Sequence, residues 1–292
     1  RLVAEVFHHG HGNQGLLRQP ALKTLRHDKR PADLREARPS AGDTALPATR
    51  THAPDATIEL PHPQRVVFPD SGITKQQVFD YYRAVARWLL PELDGRPLSV
   101  VRCPQGAGRP CFFQKHHTAG MDHVDEEGAT RADYLVVRDE AGLLELVQFN
   151  ALEFHPWDAR ADAPDLADRI VFDLDPGPDV AWPRVVEAAR LVRKRLRALG
   201  LTSFVRTSGG KGLHVVVPLK PPCPWPQVKA FAHAFADAMA ASDPLAYVAT
   251  ATKKFRKGRI FIDYLRNGRG ATSVASFSLR AREGAPVAMP LR

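Results

Sequence analysis

The sequence lacks three features that would each assign it to a familiar class. Its 292 residues contain no apolar run of the roughly 18 residues that a membrane-spanning helix needs. The first residues also lack the apolar core of a signal peptide. Its three cysteines, Cys103, Cys111 and Cys223, are an odd number and widely spaced. We therefore predict neither a disulfide framework nor a zinc site, and we expect a cytoplasmic location in a reducing compartment.

Acidic residues are scarce in the last part of the chain. Residues 251–292 contain ten lysines and arginines but only Asp263 and Glu283, so they carry +8 of the total charge of +9. A basic tract this localised indicates contact with phosphate groups or nucleic acid, although a solvated basic surface is the plainer interpretation. Asp263 favours the first interpretation, because it is an isolated acid on an apolar run inside the tract.

Hydrophobic residues make up 44% of the sequence and charged residues 25%, as in globular proteins of one large or two modest domains. Residues 31–55 are rich in alanine, proline, arginine and threonine without apolar periodicity, so we predict a flexible linker there. The histidines at positions 8, 9 and 11 lack accompanying cysteines and indicate a solvated loop rather than a metal site. We predict that residues 56–292 form a compact domain.

Residues 169–178 form an apolar, β-branched run that ends in two aspartates before Pro-Gly-Pro. This pattern predicts a buried strand that a turn terminates. Because side chains alternate along a strand, Asp173 and Asp175 point to the same side. Two carboxylates so close repel each other unless a cation lies between them, and Mg²⁺ or Mn²⁺ suits such oxygen ligands. A pair of turn-capping aspartates is the alternative, and the motif alone does not decide between them.

A glycine-rich segment, residues 208–214, lies between two predicted strands. Its glycines allow backbone N–H groups to approach an anion closely. It is not a Walker loop, because Gly212 follows the lysine. Ser208, Lys211 and His214 alternate with the glycines, which suits the binding of a triphosphate by side chains of a hairpin.

A predicted buried strand at residues 259–264 carries Asp263, and a last predicted strand at 275–280 ends in Arg280. Three carboxylates from two strands form a minimal site for two metal ions. Such a site suits the in-line displacement of pyrophosphate, in which the protein mainly positions groups and neutralises charge. Lys211, His214 and Arg280 supply positive charge for the triphosphate, so no dedicated protein base is required.

Thr74 and Gln77 form a capping box, which predicts a helix that begins near Lys75 and ends before Pro91. A cation in the first helical turn is unfavourable, because it lies at the positive end of the helix dipole. A bound phosphate would neutralise this positive charge, and the free N–H groups of the helix N-terminus could bind it. Arg65 in the preceding loop could contact the same phosphate. A surface lysine without a role is the alternative.

Phe112 and Phe113 follow a glycine-containing loop and could offer bases a stacking surface, although alternation on a strand would bury one of them. Residues 134–138 and 144–149 are predicted to form a β-hairpin. His155 lies next to a proline, and the residues alone assign it no role.

The chain carries three motifs in this order: Phe172-Asp173-Leu174-Asp175-Pro176, Ser208-Gly209-Gly210-Lys211-Gly212-Leu213-His214 and Phe261-Ile262-Asp263-Tyr264. These motifs resemble those of archaeo-eukaryotic primase–polymerases. More narrowly, they resemble the polymerase domain of bacterial DNA ligase D, a family of non-homologous end joining. The resemblance covers about residues 56–292. Residues 25–29 also resemble the closing motif of ATP-dependent DNA ligases, so residues 1–30 are expected to be the remnant of a preceding ligase domain.

The resemblance implies roles for the residues of the site. Asp173, Asp175 and Asp263 match the metal-binding carboxylates, with Mn²⁺ preferred to Mg²⁺, and His155 matches a nucleotide-contacting or catalytic histidine. The family adds ribonucleotides, which it prefers, or deoxyribonucleotides to primer 3′ ends, with or without a template. The residues that match positions around the incoming nucleotide are Ser208, Lys211, His214 and Arg280.

The resemblance also implies contacts with DNA. Lys75, with Arg65, matches the pocket for the 5′-phosphate at a gap or double-strand break. The family has lysine at the earlier position, and phosphate binding tolerates the arginine found here. Phe112 and Phe113 match aromatic residues that stack at the break. A Ku-type end-binding protein is the expected protein partner, and a bacterial nucleoid is the expected location.

We therefore predict an α/β (α+β) fold of the primase–polymerase type. Its catalytic core has a mixed, largely antiparallel sheet flanked by helices, and an N-terminal lobe accompanies it. The alternative among enzymes is a Mn²⁺-dependent nucleotide-sugar glycosyltransferase, because Asp-x-Asp also marks such sites. That alternative leaves Asp263 and the basic tract unexplained. The alternative outside enzymes is a non-catalytic DNA-end-binding module.

Overall fold

The computed structural model describes four stretches of the chain, residues 3–7, 21–26, 58–128 and 133–291. The chain divides into two compact units, residues 1–51 and 52–292. In the first unit, strands β1 (Val3–Phe7) and β2 (Ala21–Arg26) pair in antiparallel fashion.

The domain boundaries proposed for the start of the chain stay predictions. The linker predicted at residues 31–55 lies outside the described residues. The assignment of residues 1–30 to a ligase remnant concerns a segment of which only the pairing of β1 with β2 is described.

The N-terminal lobe of the second unit contains two helices and two sheets. Its elements are β3 (Val66–Phe68), β4 (Ile73–Thr74), α1 (Lys75–Leu93), β5 (Leu98–Arg102), β6 (Phe112–Gln114), β7 (Asp125–Gly128), β8 (Asp133–Val136), α2 (Glu140–Gln148) and β9 (Ala151–Pro156). β3 pairs with β4, and the other strands form a sheet of order β6-β5-β8-β7 in which β9 also pairs with β5. Tyr82 and Phe154 are fully buried in the core that joins α1 to this sheet.

A six-stranded sheet forms the other half of the second unit. Its strands and helices are β10 (Leu166–Pro176), α3 (Trp182–Ala198), β11 (Phe204–Thr207), β12 (Leu213–Pro224), α4 (Trp225–Ser242), β13 (Tyr247–Val248), β14 (Ile260–Asp263) and β15 (Pro290–Leu291). The strand order is β13-β14-β10-β12-β11-β15, and only the pair β13–β14 is parallel. The α/β architecture and the largely antiparallel sheet agree with the prediction.

Strand β10 has two different faces. Phe172 and Leu174 are fully buried in a core that includes the apolar faces of α3 and α4. Because side chains alternate, Arg169, Asp173 and Asp175 lie on the opposite face of the sheet. Among the residues described from 58 onward, no helix is long and apolar enough to cross a membrane.

Helix α1 begins as predicted and ends later than predicted. Gln77 N donates to Thr74 Oγ1 and Thr74 N donates to Gln77 Oε1, so the capping box is present. Pro91 lies inside the helix, which corrects the predicted end. The helix continues beyond the proline to Leu93, where Asp94 N donates to Leu90 O at 2.8 Å.

The predicted hairpin after residue 133 is wrong, because its second half is helix α2. Asp139 caps the N-terminus of this helix with its side chain. Residues 143–147 are all buried, so they lack the alternation of polar and apolar positions that identifies an amphipathic helix. The charged Glu145 can be buried in this run because its carboxylate accepts hydrogen bonds from the backbone N–H groups of residues 122–124.

Residues 275–280 form no continuous strand, which corrects the last predicted element. They make one isolated bridge, between Leu279 and Val287, and Phe277 has a positive φ of 66° that interrupts extended structure. Arg280 nevertheless reaches the candidate active site, as described below.

The cysteines also depart from prediction, because Cys103 and Cys111 form a disulfide and only Cys223 is free. Their separation along the chain gave no sign of this pairing. The residues between them form the connection of β5 to β6, and the antiparallel pairing of these two strands brings the cysteines together. The cysteine content therefore does not indicate a reducing compartment.

Candidate active site

Three aspartates lie side by side on one face of the six-stranded sheet. Asp173 of β10 stands directly opposite Asp263 of β14 and, on its other side, opposite His214 of β12. Residues directly opposite each other in antiparallel strands have Cβ atoms about 4.5–5.5 Å apart. Asp175 follows on the same face of β10. The strand pairing thus brings the three predicted metal-binding carboxylates together.

Two arginines pair with these carboxylates. Arg266 donates to Asp173 Oδ2 from Nε at 2.9 Å, and its Nη2 lies 2.8 Å from the same oxygen. The Nε of Arg266 also lies 3.7 Å from Asp263 Oδ2. Arg256 donates from Nη1 to Asp175 Oδ2 at 2.9 Å. Guanidinium groups therefore supply the positive charge at the carboxylates in this structure.

The pKa values show how this charge is distributed. Burial would raise the pKa of Asp173, but His214 and Arg266 outweigh it and lower the pKa to about 2. Burial and the neighbouring charge of Asp173 raise the pKa of Asp175. Burial also raises the pKa of Asp263, against the opposing effect of Arg266. The group of aspartates is therefore short of positive charge, and a further cation would stabilise it.

The glycine-rich segment folds into a closed turn beside β10. Ser208 donates to Gly212 O from both N (3.1 Å) and Oγ (3.0 Å). A Cβ on Gly212 would lie 2.3 Å from the carbonyl oxygen of Leu174, so only glycine allows the turn to pack this closely on the strand. Lys211 stands exposed at the turn, where its positive charge acts on Asp175.

His214 is buried beside Asp173, with Nε2 of the imidazole 3.5 Å from Asp173 Oδ2. Burial lowers the pKa of His214, and the charge of Asp173 opposes this change. Its Nδ1 is buried without a hydrogen-bond partner among the described residues. The imidazole therefore has unused hydrogen-bonding capacity at the site.

A second buried network lies next to the aspartates. His155 Nε2 donates to Glu153 Oε2 at 2.7 Å, and Arg280 Nε donates to the same oxygen at 2.9 Å. Arg280 also donates from Nη1 to Ser208 O, which ties the network to the glycine-rich turn. Burial would raise the pKa of Glu153, but the hydrogen bond from His155 and the charge of Arg280 hold it at about 2. Glu153 therefore positions both His155 and Arg280 as an ionised carboxylate.

These groups surround one pocket of about 350 Å³. The pocket brings together seven residues that the sequence assigned to catalysis or nucleotide binding, and Asp263 stands opposite Asp173 in the strand pairing. Arg266 and Arg282 also line the pocket, and neither was singled out in the sequence. The predicted residues in the lining are His155, Asp173, Asp175, Ser208, Lys211, His214 and Arg280.

The predicted phosphate-binding pair forms a separate cluster. Lys75 is only 4% exposed, and its Nζ donates to Pro61 O at 3.2 Å. Its amide donates to Arg65 O at 2.8 Å, which places the two residues together. Burial and the charge of Arg65 lower the pKa of Lys75 to about 8. Arg65 in turn donates from Nη2 to Asn150 Oδ1. A phosphate would compensate the two crowded cations.

Phe112 and Phe113 are both exposed, Phe113 by 59%. They lie on β6, a strand at the edge of its sheet, so alternation does not bury one of them. The ring of Phe113 makes an edge-to-face contact with the His155 ring at 5.5 Å between centroids. The aromatic pair is therefore free for stacking and continuous with the active-site pocket.

No group of three or more His, Cys, Asp or Glu side chains in residues 58–128 and 133–291 is arranged to hold a metal ion. At the candidate site, the guanidinium of Arg266 occupies an oxygen of Asp173. The donor set of three carboxylates still suits a hard divalent ion. Mn²⁺ or Mg²⁺ therefore fits the chemistry of the site, provided that Arg266 moves away from Asp173.

Sequence reasoning missed Glu153, Arg256 and Arg266. Two of them carried a signal that could have been used. Arg266 follows Asp263 by three residues, and Glu153 lies on the same strand face as His155, two positions away. Arg256 carried no such signal, because a loop brings it to Asp175.

Comparison with known proteins identifies the relatives of this chain. A family model described as LigD, primase-polymerase domain, matches residues 74–292. The multifunctional non-homologous end joining protein LigD of Pseudomonas aeruginosa is 38% identical over 287 residues, which cover 95% of this chain and 34% of that protein. The bifunctional LigD of Bacillus subtilis is 30% identical over 231 residues, which cover 78% of this chain and 37% of that protein. The chain thus spans about a third of the length of these relatives.

A solved structure agrees with the sequence comparisons. The polymerase domain of Mycobacterium tuberculosis ligase D, solved in complex with DNA, matches with a TM-score of 0.76 and 32% identity. The match covers 81% of this chain and 87% of that chain. The predicted fold class and the predicted family resemblance are both confirmed.

Proposed function

Because the chain belongs to the LigD primase–polymerase family, we propose that it adds nucleotides to the 3′ end of a DNA primer. Its substrates are ribo- or deoxyribonucleoside triphosphates and DNA with 5′-phosphorylated gaps or double-strand breaks. The process it serves is non-homologous end joining, and a Ku-type end-binding protein is its expected partner. The related domain from Mycobacterium tuberculosis was solved in complex with DNA, which supports DNA as the substrate.

One observation carries this proposal: three carboxylates share a sheet face beside a pocket with cationic walls. Asp173, Asp175 and Asp263 hold the divalent ions, Mn²⁺ in preference to Mg²⁺, once Arg266 leaves Asp173. When bound, the ions supply Lewis-acid stabilisation to an in-line displacement at phosphorus. Burial, together with the neighbouring charge of Asp173, raises the pKa values of Asp175 and Asp263, and this unfavourable environment for negative charge supports the assignment.

The other residues of the pocket bind and orient the triphosphate. Lys211 belongs to the glycine-rich turn, Arg280 donates to the turn at Ser208 O, and both neutralise phosphate charge. Ser208 closes the turn and keeps its backbone against β10. His155 is held by Glu153 through Nε2, so its ring orientation is set before substrate arrives. Phosphoryl transfer needs this kind of positioning more than it needs a protein base.

The DNA occupies the surface next to the pocket. The exposed rings of Phe112 and Phe113 stack against bases at the break. Lys75 and Arg65 bind the 5′-phosphate of the downstream strand, because the phosphate relieves the repulsion between the two cations.

Primer extension tests the proposed function. The substrate is a gapped duplex with a 5′-phosphate, supplied with Mn²⁺ and either ribo- or deoxyribonucleoside triphosphates. We expect extension with both kinds of nucleotide, and faster extension with Mn²⁺ than with Mg²⁺. A chain that binds this duplex without extending the primer would be a DNA-end-binding module, and the proposal would be abandoned.

Replacing Lys75 with alanine is expected to remove the preference for a 5′-phosphorylated gap. The loss in affinity for the phosphorylated duplex should be about tenfold, the contribution of one hydrogen bond to a charged group. The preference of the wild type should also weaken between pH 7 and pH 9, because the Lys75 ammonium loses its proton as the pH passes its pKa of about 8. Fluorescence anisotropy on duplexes with and without the phosphate measures both effects.

The matched control is Lys229→Ala, which removes an exposed lysine of α4 and should leave the preference unchanged. Equal losses of Lys75→Ala on phosphorylated and unphosphorylated duplexes would show that Lys75 does not bind the 5′-phosphate.

A further inference from the structure

A second cavity, of about 600 Å³, opens on the same side of the six-stranded sheet as the active-site pocket. Arg169 lines it and precedes Asp173 by four positions on β10, a distance of about 13 Å along a strand. The two cavities are lined by different residues. The proposed polymerase function leaves the second cavity unexplained.

Arg169 presents unused hydrogen-bond donors to this cavity. Its guanidinium donates no hydrogen bond to any described residue, and its side chain is only 13% exposed. The oxygens that face it, Asp168 Oδ1 at 3.6 Å and Asp158 Oδ1 at 3.8 Å from Nε, are too distant for hydrogen bonds. A nearly buried guanidinium with five N–H groups needs acceptor oxygens, which the cavity has room to provide through a ligand.

Hydrogen bonds within the protein fix two further arginines of the cavity. Arg206 donates from Nη1 to Glu92 Oε2 at 2.8 Å, and Arg96 donates from Nη1 to Asp168 Oδ1 at 2.8 Å. The Nε atoms of both arginines are buried without a partner among the described residues. The other nitrogens of the two guanidinium groups bind Asp168, Glu92 and Ser273, so the two arginines contribute fixed positive charge to the cavity rather than free donors.

Asp158 balances Arg169 without hydrogen bonding to it. The carboxylate is fully buried, and both of its oxygens lack a hydrogen-bond partner among the described residues. Burial raises the pKa of Asp158 to about 6, against the opposing charge of Arg169, so the carboxylate is ionised at neutral pH. It holds the guanidinium in place by charge and leaves the N–H groups of Arg169 free.

The charge and shape of the lining indicate the kind of ligand. Four cations and two carboxylates line the cavity, a net charge of +2, or +1 when Asp158 is included. A phosphate monoester carries about −1.5 to −2 at pH 7, which matches this charge better than a polyphosphate does. The volume is that of a typical small-molecule site. The rest of the wall is largely apolar and includes the exposed ring of Phe204 beside Pro218, Leu219 and Pro222.

We propose that this cavity is a second nucleotide site, which binds a nucleoside monophosphate. The phosphate accepts hydrogen bonds from Arg169, the fixed charges of Arg96 and Arg206 attract it, and the base lies against Phe204. Arg206 stands directly opposite His214 in the strand pairing, so the two sites adjoin each other on the same face of the sheet.

Isothermal titration calorimetry with AMP tests this site in the intact chain. We expect saturable binding, competition by inorganic phosphate, and a loss of at least tenfold in AMP affinity in Arg169→Gln. Phe204→Ala should weaken AMP by about tenfold, as expected for loss of one stacking contact, and should leave the affinity for inorganic phosphate unchanged. Thermal melting verifies that each variant is folded.

The matched control is Lys211→Ala, which alters the active-site pocket and should leave AMP affinity unchanged. Absence of saturable AMP binding, or AMP affinity that falls in Lys211→Ala and not in Phe204→Ala, would overturn the proposal. Tighter binding of a 5′-phosphorylated tetranucleotide than of AMP would also overturn it, because a nucleic-acid end would then be the ligand. If Arg169→Gln does not fold, Phe204→Ala is sufficient, since the Phe204 ring is 61% exposed.

Discussion

Asp173→Asn is expected to lower primer extension by about 10³-fold while leaving duplex affinity within about twofold of the wild type. Asp173 is the central carboxylate of the three, since Asp263 and His214 both stand opposite it. Asparagine keeps the size of the side chain and removes the charge that the proposed ions need. Single-turnover extension and anisotropy on the same gapped duplex measure the two quantities separately.

The matched control is Asp162→Asn, which removes the charge of an aspartate whose side chain is 75% exposed. It should extend primers as the wild type does. Extension by Asp173→Asn within tenfold of this control would show that the carboxylate holds no essential ion. Equal losses in extension and in duplex affinity would show that Asp173 acts in DNA binding.

Glu153→Gln is expected to lower the free energy of unfolding at pH 7 by about 3 kcal/mol, because the pKa of Glu153 is about 2 in the folded chain and near 4.5 in the unfolded chain. The folded pKa is the lower of the two, so the stabilisation is present above pH 4.5 and is lost as the pH falls toward 2. The difference between variant and wild type should therefore shrink as the pH falls. Urea unfolding at pH 7, 5 and 3 measures this difference.

Glu187→Gln, at an exposed position of α3, is the matched control and should unfold as the wild type does at each pH. A constant difference between Glu153→Gln and the wild type from pH 7 to pH 3 would contradict an ionised Glu153. Glu153→Gln should also reduce extension, because the charged acceptor that positions His155 and Arg280 becomes a neutral amide, which binds them more weakly.

Local patterns were enough to predict the strands that carry the three aspartates. An apolar run ending in Asp-x-Asp depends on alternation and turn chemistry, and both act within a few residues. The glycine-rich turn was predictable for the same reason. Glycine is required at position 212 because a Cβ there would collide with Leu174 O. Long-range pairing was harder to predict. Arg256 reaches Asp175 across 81 positions, and Glu153 reaches Arg280 across 127.

Helix α2 and the disulfide show two other limits. All five residues 143–147 are buried, so the run contains no periodicity that separates helix from strand. Its Glu145 depends on N–H groups of a distant loop that only the folded chain brings near. Cys103 and Cys111 likewise become neighbours only because β5 and β6 pair.

Strand β10 carries Arg169 and Asp173 on one face and the apolar side chains of the helix-packed core on the other. An inserted or deleted residue between these two positions would rotate everything beyond it to the opposite face. Either Arg169 or Asp173 would then point into the apolar core. The second cavity would lose Arg169, or the active-site pocket would lose Asp173. The spacing between Arg169 and Asp173 is therefore constrained even where the residues between them can be exchanged. We expect insertions and deletions among relatives to fall in the loops and not in this segment.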